Sequence, residues 1–121
     1  ARGGITRVLD GSRTAVKSVL LISSKKGSVR ASHYHKRDSH YSYMLSGRME
    51  YAEQPVGKDG VIDKNNRKES VIVKAGDMVF TPPMTAHEMS FLEDSVFLAL
   101  ATEARDKAAY EEDTVRVKLS A

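Results

Sequence analysis

Short apolar runs closed by turn residues recur along this whole chain, and that pattern is the mark of β-strands. Ile5–Leu9 ends at Asp10-Gly11, Thr14–Ser23 is rich in Val, Leu and Ile, and Ser28–His35 alternates polar and apolar or histidine positions. His40–Leu45 and Arg48–Gln54 flank Ser46-Gly47, which reads as a tight hairpin turn. Ser70–Lys74 runs into Ala75-Gly76-Asp77, and Met78–Thr81 stops at Pro82-Pro83 because proline cannot donate to a strand ladder. His87–Leu92, Ser95–Ala101 and Thr114–Leu119 complete about ten strands of an all-β fold. Two segments depart from the pattern: Pro55–Glu69 reads as a polar loop, solvated or serving as a lid or dimer contact, and Glu103–Asp113 as one or two helical turns.

With 121 residues there is room for one domain and its core. Residues 1–121 are therefore expected as a single domain, with a barrel over about 14–101, a loop insertion at 55–69 and a C-terminal tail at 102–121. No cysteine is present, which excludes disulfides, thiolate metal sites and a cysteine nucleophile. The net charge of +3 comes from basic residues interleaved with acids, as in Lys36-Arg37-Asp38, so no nucleic-acid partner is expected. No apolar stretch approaches a membrane span, and no signal-peptide pattern is present. The start Ala-Arg-Gly-Gly, without Met, suggests trimming, and a cytoplasmic location is expected.

The chemistry concentrates in four histidines, His33, His35, His40 and His87. Residues two apart on a strand share a face, so His33 and His35 point the same way. His40 follows a polar turn that can bring it beside that pair, and His87 heads a later strand after a proline-rich loop. Imidazole is a common ligand of divalent transition metals.

The glycine spacing extends the pattern. Gly27, five residues, His33, one residue, His35, four residues, His40, six residues and Gly47 reproduce the first motif of the cupin superfamily. Gly76, five residues, Pro82 and then His87 reproduce most of the second. The chain resembles a small single-domain cupin over about residues 14–101. That resemblance implies a double-stranded antiparallel β-barrel of the jelly-roll type. It also implies one divalent transition metal (Mn, Fe, Ni or Zn) held by His33, His35, His40 and His87. His40 stands where most members have glutamate, making the ligand set all-histidine. Met84 stands at the family's glycine and Phe91 at its asparagine. Met84 in place of glycine implies a different loop backbone, with its side chain over the pocket mouth.

Alternation along the strands supplies the remaining pocket: Ser42 and Met44 beside His40, Ala31 and Val29 with the histidine pair, and Met89 and Phe91 with His87. Beyond Gly47 either Met49 and Tyr51 or Arg48 and Glu50 face inward, the first choice giving a core strand. No inward acid or base can be named, so chemistry would lean on the metal. Asp38 is read as a turn residue.

Three functions remain open. Local wording around His33-Tyr34-His35-Lys36-Arg37 and the tail Tyr110–Arg116 resembles cupins that act on sugar phosphates and nucleotide sugars, implying a metal-dependent isomerase or epimerase of a small polar substrate. An all-histidine site also resembles cupin dioxygenases that cleave small enolisable substrates. A non-catalytic small-molecule binding module is the third. Small cupins often pair through sheet edges, and a homodimer is expected on that ground.

Overall fold

The computed structural model describes residues 3–11, 15–62, 65 and 67–119. Its elements are β1 (Ser18–Ser24), β2 (Val29–His35), β3 (His40–Ser46), β4 (Arg48–Pro55), β5 (Glu69–Lys74), β6 (Met78–Thr81), β7 (Thr85–Phe91), β8 (Ser95–Ala101), α1 (Lys107–Asp113) and β9 (Thr114–Arg116). All strand pairs are antiparallel. They form a four-stranded sheet in the order β1-β8-β3-β6 and a five-stranded sheet in the order β5-β4-β7-β2-β9. The expected barrel is thus two sheets of a jelly-roll sandwich, with no closing ladder between them among the described residues.

The core lies between the sheets. Met44, Met49, Tyr51, Val73, Met89, Phe91, Phe97 and Ala99 are buried there, with Leu20, Ile22 and Val79 packed against them. Alternation explains the membership, since every second residue of a strand faces the opposite sheet. Met49 and Tyr51 take the inward positions of β4, and Arg48 and Glu50 are exposed.

Several sequence expectations are corrected. Ile5–Leu9 forms no strand, and Ile5 is 95% exposed. Part of the Thr14–Ser23 reading lies outside the described residues, because Thr14 is not among them. Ser46-Gly47 is not a hairpin: β3 pairs with β6 and β8, and β4 with β5 and β7, so the turn carries the chain from one sheet to the other. Turn residues report that a strand ends, not which strand it will pair with. Val29 is exposed, because a bulge between Ala31 and His33, with φ of 72° at Ala31 and 60° at Ser32, breaks the alternation. The loop after β4 is neither fully solvated nor over the site. Val56 and Ile62 pair by a β-bridge and join Tyr34, Ala52, Ala86 and Leu119 in a second apolar cluster on the outer face of the five-stranded sheet.

Gly47 sits at the crossing with φ of +87°. An added Cβ would approach the Asp94 carbonyl to 2.5 Å and press on the Ser95 side chain. Gly76 has a similar φ, +92°, with open space around it. Gly47→Ala should therefore cost more than the roughly 1–2 kcal/mol of left-handed backbone strain expected for Gly76→Ala. Urea unfolding of both variants checks this, and equal losses would show that the crossing is not tightly packed.

Candidate metal centre

All four histidines gather at one end of the sandwich. β2 and β7 are neighbours, and His33 stands directly opposite His87. His40, first residue of β3, reaches the group from the other sheet. Ring centroids lie 4.6 Å apart for His33–His35, 4.7 Å for His33–His87, 5.0 Å for His40–His87 and 5.8 Å for His35–His40. All four residues are buried.

Their hydrogen bonds decide which nitrogens are free. His87 Nδ1 lies 3.1 Å from the Thr85 carbonyl, which can only accept, so Nδ1 carries the proton and Nε2 a lone pair. The Thr114 hydroxyl donates to the Tyr110 carbonyl, so it accepts from His35 Nδ1 at 3.2 Å. The same reasoning leaves His35 Nε2 as a lone pair, and this atom is buried without a partner. His33 Nδ1, His40 Nδ1 and the Ser42 hydroxyl are also buried and unpartnered.

Four converging imidazoles with unfilled nitrogens suit a divalent transition ion, which binds imidazole at about 2.0–2.1 Å. One donor atom each from His33, His35 and His87 lies within 4.8 Å of the others, and His35, Asp38 and His40 form a second such group. Each trio could hold a metal ion, and His35 is common to both. Carboxylates stand behind the rings, as metal-binding histidines commonly require. Asp113 Oδ2 is 3.6 Å from His35 Nδ1, and Asp38 Oδ2 is 3.7 Å from His40 Nδ1.

A cupin-domain family model (Cupin_2) matches residues 20–102. The chain belongs to the cupin family. No curated protein matches this cupin by sequence. Among solved structures it is similar to a 3,4-ketoisomerase from Helicobacter canadensis (18% identity, TM-score 0.70, 93% of this chain and 77% of that one). It is also similar to the capsular polysaccharide assembling protein CapF from Staphylococcus aureus (19%, 0.69, 84% and 26%). A third is the dTDP-4-dehydrorhamnose 3,5-epimerase from Sulfolobus tokodaii (22%, 0.65, 78% and 56%). The cupin thus spans about a quarter of CapF. At these identities the likeness is one of fold. Among the described residues no helix is long and apolar enough to cross a membrane.

The histidines open into a cavity of about 130 Å³ whose lining includes Arg30, Ser42, Met89, Arg105 and Tyr110. Ser42 and Met89 were expected there. Met44 and Phe91 lie deeper, in the core. Met84 does not cover the mouth: it packs against the Tyr34–Leu119 cluster on the other side of the sheet. Nor does it change the loop backbone, because Met84 itself takes φ of 57°. Its N–H donates to the His35 carbonyl at 2.8 Å and its carbonyl accepts from Val56, which hold it in that conformation.

Arg105, Tyr110, Asp113 and Thr114 were missed by sequence reasoning. They come from the tail, which docks through β9 on β2, with Thr114 opposite His35 and Arg116 opposite His33. The run Tyr110–Arg116 stood out in the sequence, yet nothing local placed it beside the histidines. Tyr110's ring lies 5.4 Å from His35's, and the Arg105 guanidinium lies 5.0 Å above Tyr110. Arg105 Nη2 also donates to Asp38 at 3.0 Å, and its buried Nε has no partner. Asp38 is more than a turn residue, since it also accepts the N–H groups of Thr102 and Glu103.

Burial, aided by neighbouring His35 and His40, holds His33 down at about 3. Burial and His40 hold His35 down at about 4, against the pull of Asp38 and Asp113. Burial also pushes His87 well below its ordinary value. Burial would raise Asp38, but His40, Arg105 and the Glu103 N–H outweigh it and hold its carboxyl at about 2. His33, His35 and His87 are therefore held neutral at pH 7.

Between pH 6.5 and about 3–4 the unfolded chain binds protons that the folded histidines refuse. The stability held above pH 6.5 is lost as pH falls through that window. In chelator-treated protein the urea midpoint should drop steadily from pH 7 to pH 4, and a flat profile would contradict buried neutral histidines.

Proposed function

We propose that this cupin is a metal-binding isomerase or epimerase of nucleotide-linked keto sugars. The observation that carries the reading is the buried imidazole cluster, with the inward lone pair of His35 Nε2, at the base of a cavity flanked by arginines. The likeness to a ketoisomerase and to an epimerase of a dTDP-sugar supports the substrate class. His33, His35, His40 and His87 would hold a divalent Mn, Fe, Ni or Zn ion, which when bound supplies Lewis-acid polarisation of a carbonyl.

The chain's own residues do the rest. The cavity of about 130 Å³ has room for the reactive end of a substrate, on the scale of about four waters at ~30 Å³ each. A nucleotide would lie outside it. Arg30, pinned by its bonds to the Ser24 hydroxyl and the Ser23 carbonyl, presents a fixed positive charge for an anionic group at the cavity. Arg105 offers a second charge to an enolate, held in place by Asp38 and Tyr110. Tyr110 supplies the titratable group that alternation along the strands did not reveal. Its phenol would move the proton at the carbon beside the carbonyl.

Protein purified without chelators should carry close to one equivalent of metal. Less than about 0.2 equivalents, with no uptake of added Mn, Fe, Ni or Zn, would refute the metal site. dTDP-linked keto sugars should raise the melting temperature, and Tyr110→Phe should lower kcat by roughly 10²–10⁴ with little change in KM. Unchanged turnover would remove Tyr110 from the chemistry. Oxygen uptake by iron-loaded protein would favour the dioxygenase alternative instead.

A further inference from the structure

Strand β2 runs in two phases. Val29, Arg30 and Ala31 stand opposite Ser90, Met89 and Glu88, one for one. From His33, which stands opposite His87, the register is shifted by one residue, and Ser32 is left without a counterpart on β7. Residues directly opposite on antiparallel strands share a face. Arg30 therefore lies on the inner face with Met89, and His33 on the inner face with His87. They are three positions apart, which in a plain strand would put them on opposite faces. Carrying the first phase forward would set His33 opposite Ala86, on the outer face. Carrying the second phase back would set Arg30 opposite Ser90, also outward. The bulge at Ser32 is what gives the cavity both a guanidinium and the His33 imidazole.

This arrangement is strained. Ala31 and Ser32 take φ of 72° and 60° in succession, the left-handed region that a side chain disfavours. Such strain persists only where the surroundings over-determine it, and bulges beside functional sites re-aim side chains. Two hydrogen bonds hold this one. The Ser32 hydroxyl donates to Glu88 Oε2 at 2.8 Å, and the Val117 N–H donates to the Ser32 carbonyl at 3.1 Å. Glu88 does not line the cavity: it alternates with His87 and Met89 along β7 and points to the other face.

We propose that Glu88 is a positioning residue, which acts through the Ser32 hydroxyl to fix Arg30 and His33 on one face of β2. The part of Arg30 rests on the function proposed above, and the part of His33 on the metal site alone. A carboxylate is the stronger acceptor for that hydroxyl. Glutamine keeps an acceptor oxygen at the same reach, and alanine keeps none.

Zinc affinity, read by competition with a chromophoric chelator, should fall at least ~10-fold in Glu88→Ala, as for other residues that orient a metal ligand from behind. Affinity for dTDP should fall about tenfold in Glu88→Ala and about tenfold in Arg30→Ala. The double variant should lose no more than either alone, because both changes remove one interaction. Glu88→Gln should stay close to the parent in both measurements. A residue that only stabilised the sheet would leave both affinities unchanged in folded protein, or add its loss to that of Arg30→Ala, and either result would overturn the proposal. A parent that binds zinc but not dTDP removes the substrate reading alone, and the zinc comparison decides. For a parent that binds neither, the metal-free protein decides: the Val117 amide should exchange with solvent deuterium at least ~10-fold faster in Glu88→Ala than in Glu88→Gln. Equal rates would overturn it.

Discussion

Four imidazoles are packed together inside this protein, and the surrounding structure holds His33, His35 and His87 uncharged. A proton on one of these three would place an uncompensated charge in a low-dielectric site. The protein meets this by burial and by fixing donors. A carbonyl holds the proton on His87 Nδ1, and a hydroxyl already committed to another carbonyl holds the one on His35. The carboxylates that would draw a second proton in are kept occupied. Asp113 accepts the N–H groups of Arg37 and Asp38, and Asp38 accepts from Thr102, Glu103 and Arg105. Lone pairs are left aimed inward without compensating charge, as a cation site needs.

The segment Thr102–Arg116 is therefore part of the site. It contributes donors to Asp38, the Asp113 carboxylate, the hydroxyl on His35 and a ring beside His33 and His35. Asp106 starts its helix by capping the Ala109 N–H, and Asp113 ends it against the β2–β3 loop. Because that loop separates His35 from His40, the tail sets the spacing of two ligand candidates from outside the histidine strands.

Much of the fold was legible in the sequence, because strand alternation is local. All nine strands arise from runs visible between turns, Ser42 and Met89 follow from parity, and Met49 and Tyr51 are the inward pair that makes β4 a core strand. The histidines were legible because spacing in one strand and two motifs sufficed. Parity failed at Val29, where left-handed Ala31 and Ser32 insert a bulge that no turn residue announces. The motif comparison failed at Met84, where backbone hydrogen bonds from distant residues hold a methionine in a glycine-like conformation. Arg105, Tyr110 and Asp113 were invisible for a related reason. Their roles depend on contacts 64 to 79 residues apart, which a single sequence does not encode locally.

One strand links the site to the outer face. Along β3, His40, Ser42 and Met44 point inward to the histidines and core, while Tyr41, Tyr43 and Leu45 point outward. The two sets differ by one residue in phase, so they cannot move independently. A slip of β3 by one position would expose His40 and bury Tyr41, and a two-residue slip would lose the pairing of His40 with both Thr81 and Ala101. Register is usually held by the buried side of a strand alone. Here the apolar outer row adds a second constraint of the same sign wherever it is covered. What packs on the outside of the four-stranded sheet therefore bears on how firmly His40 is held within it.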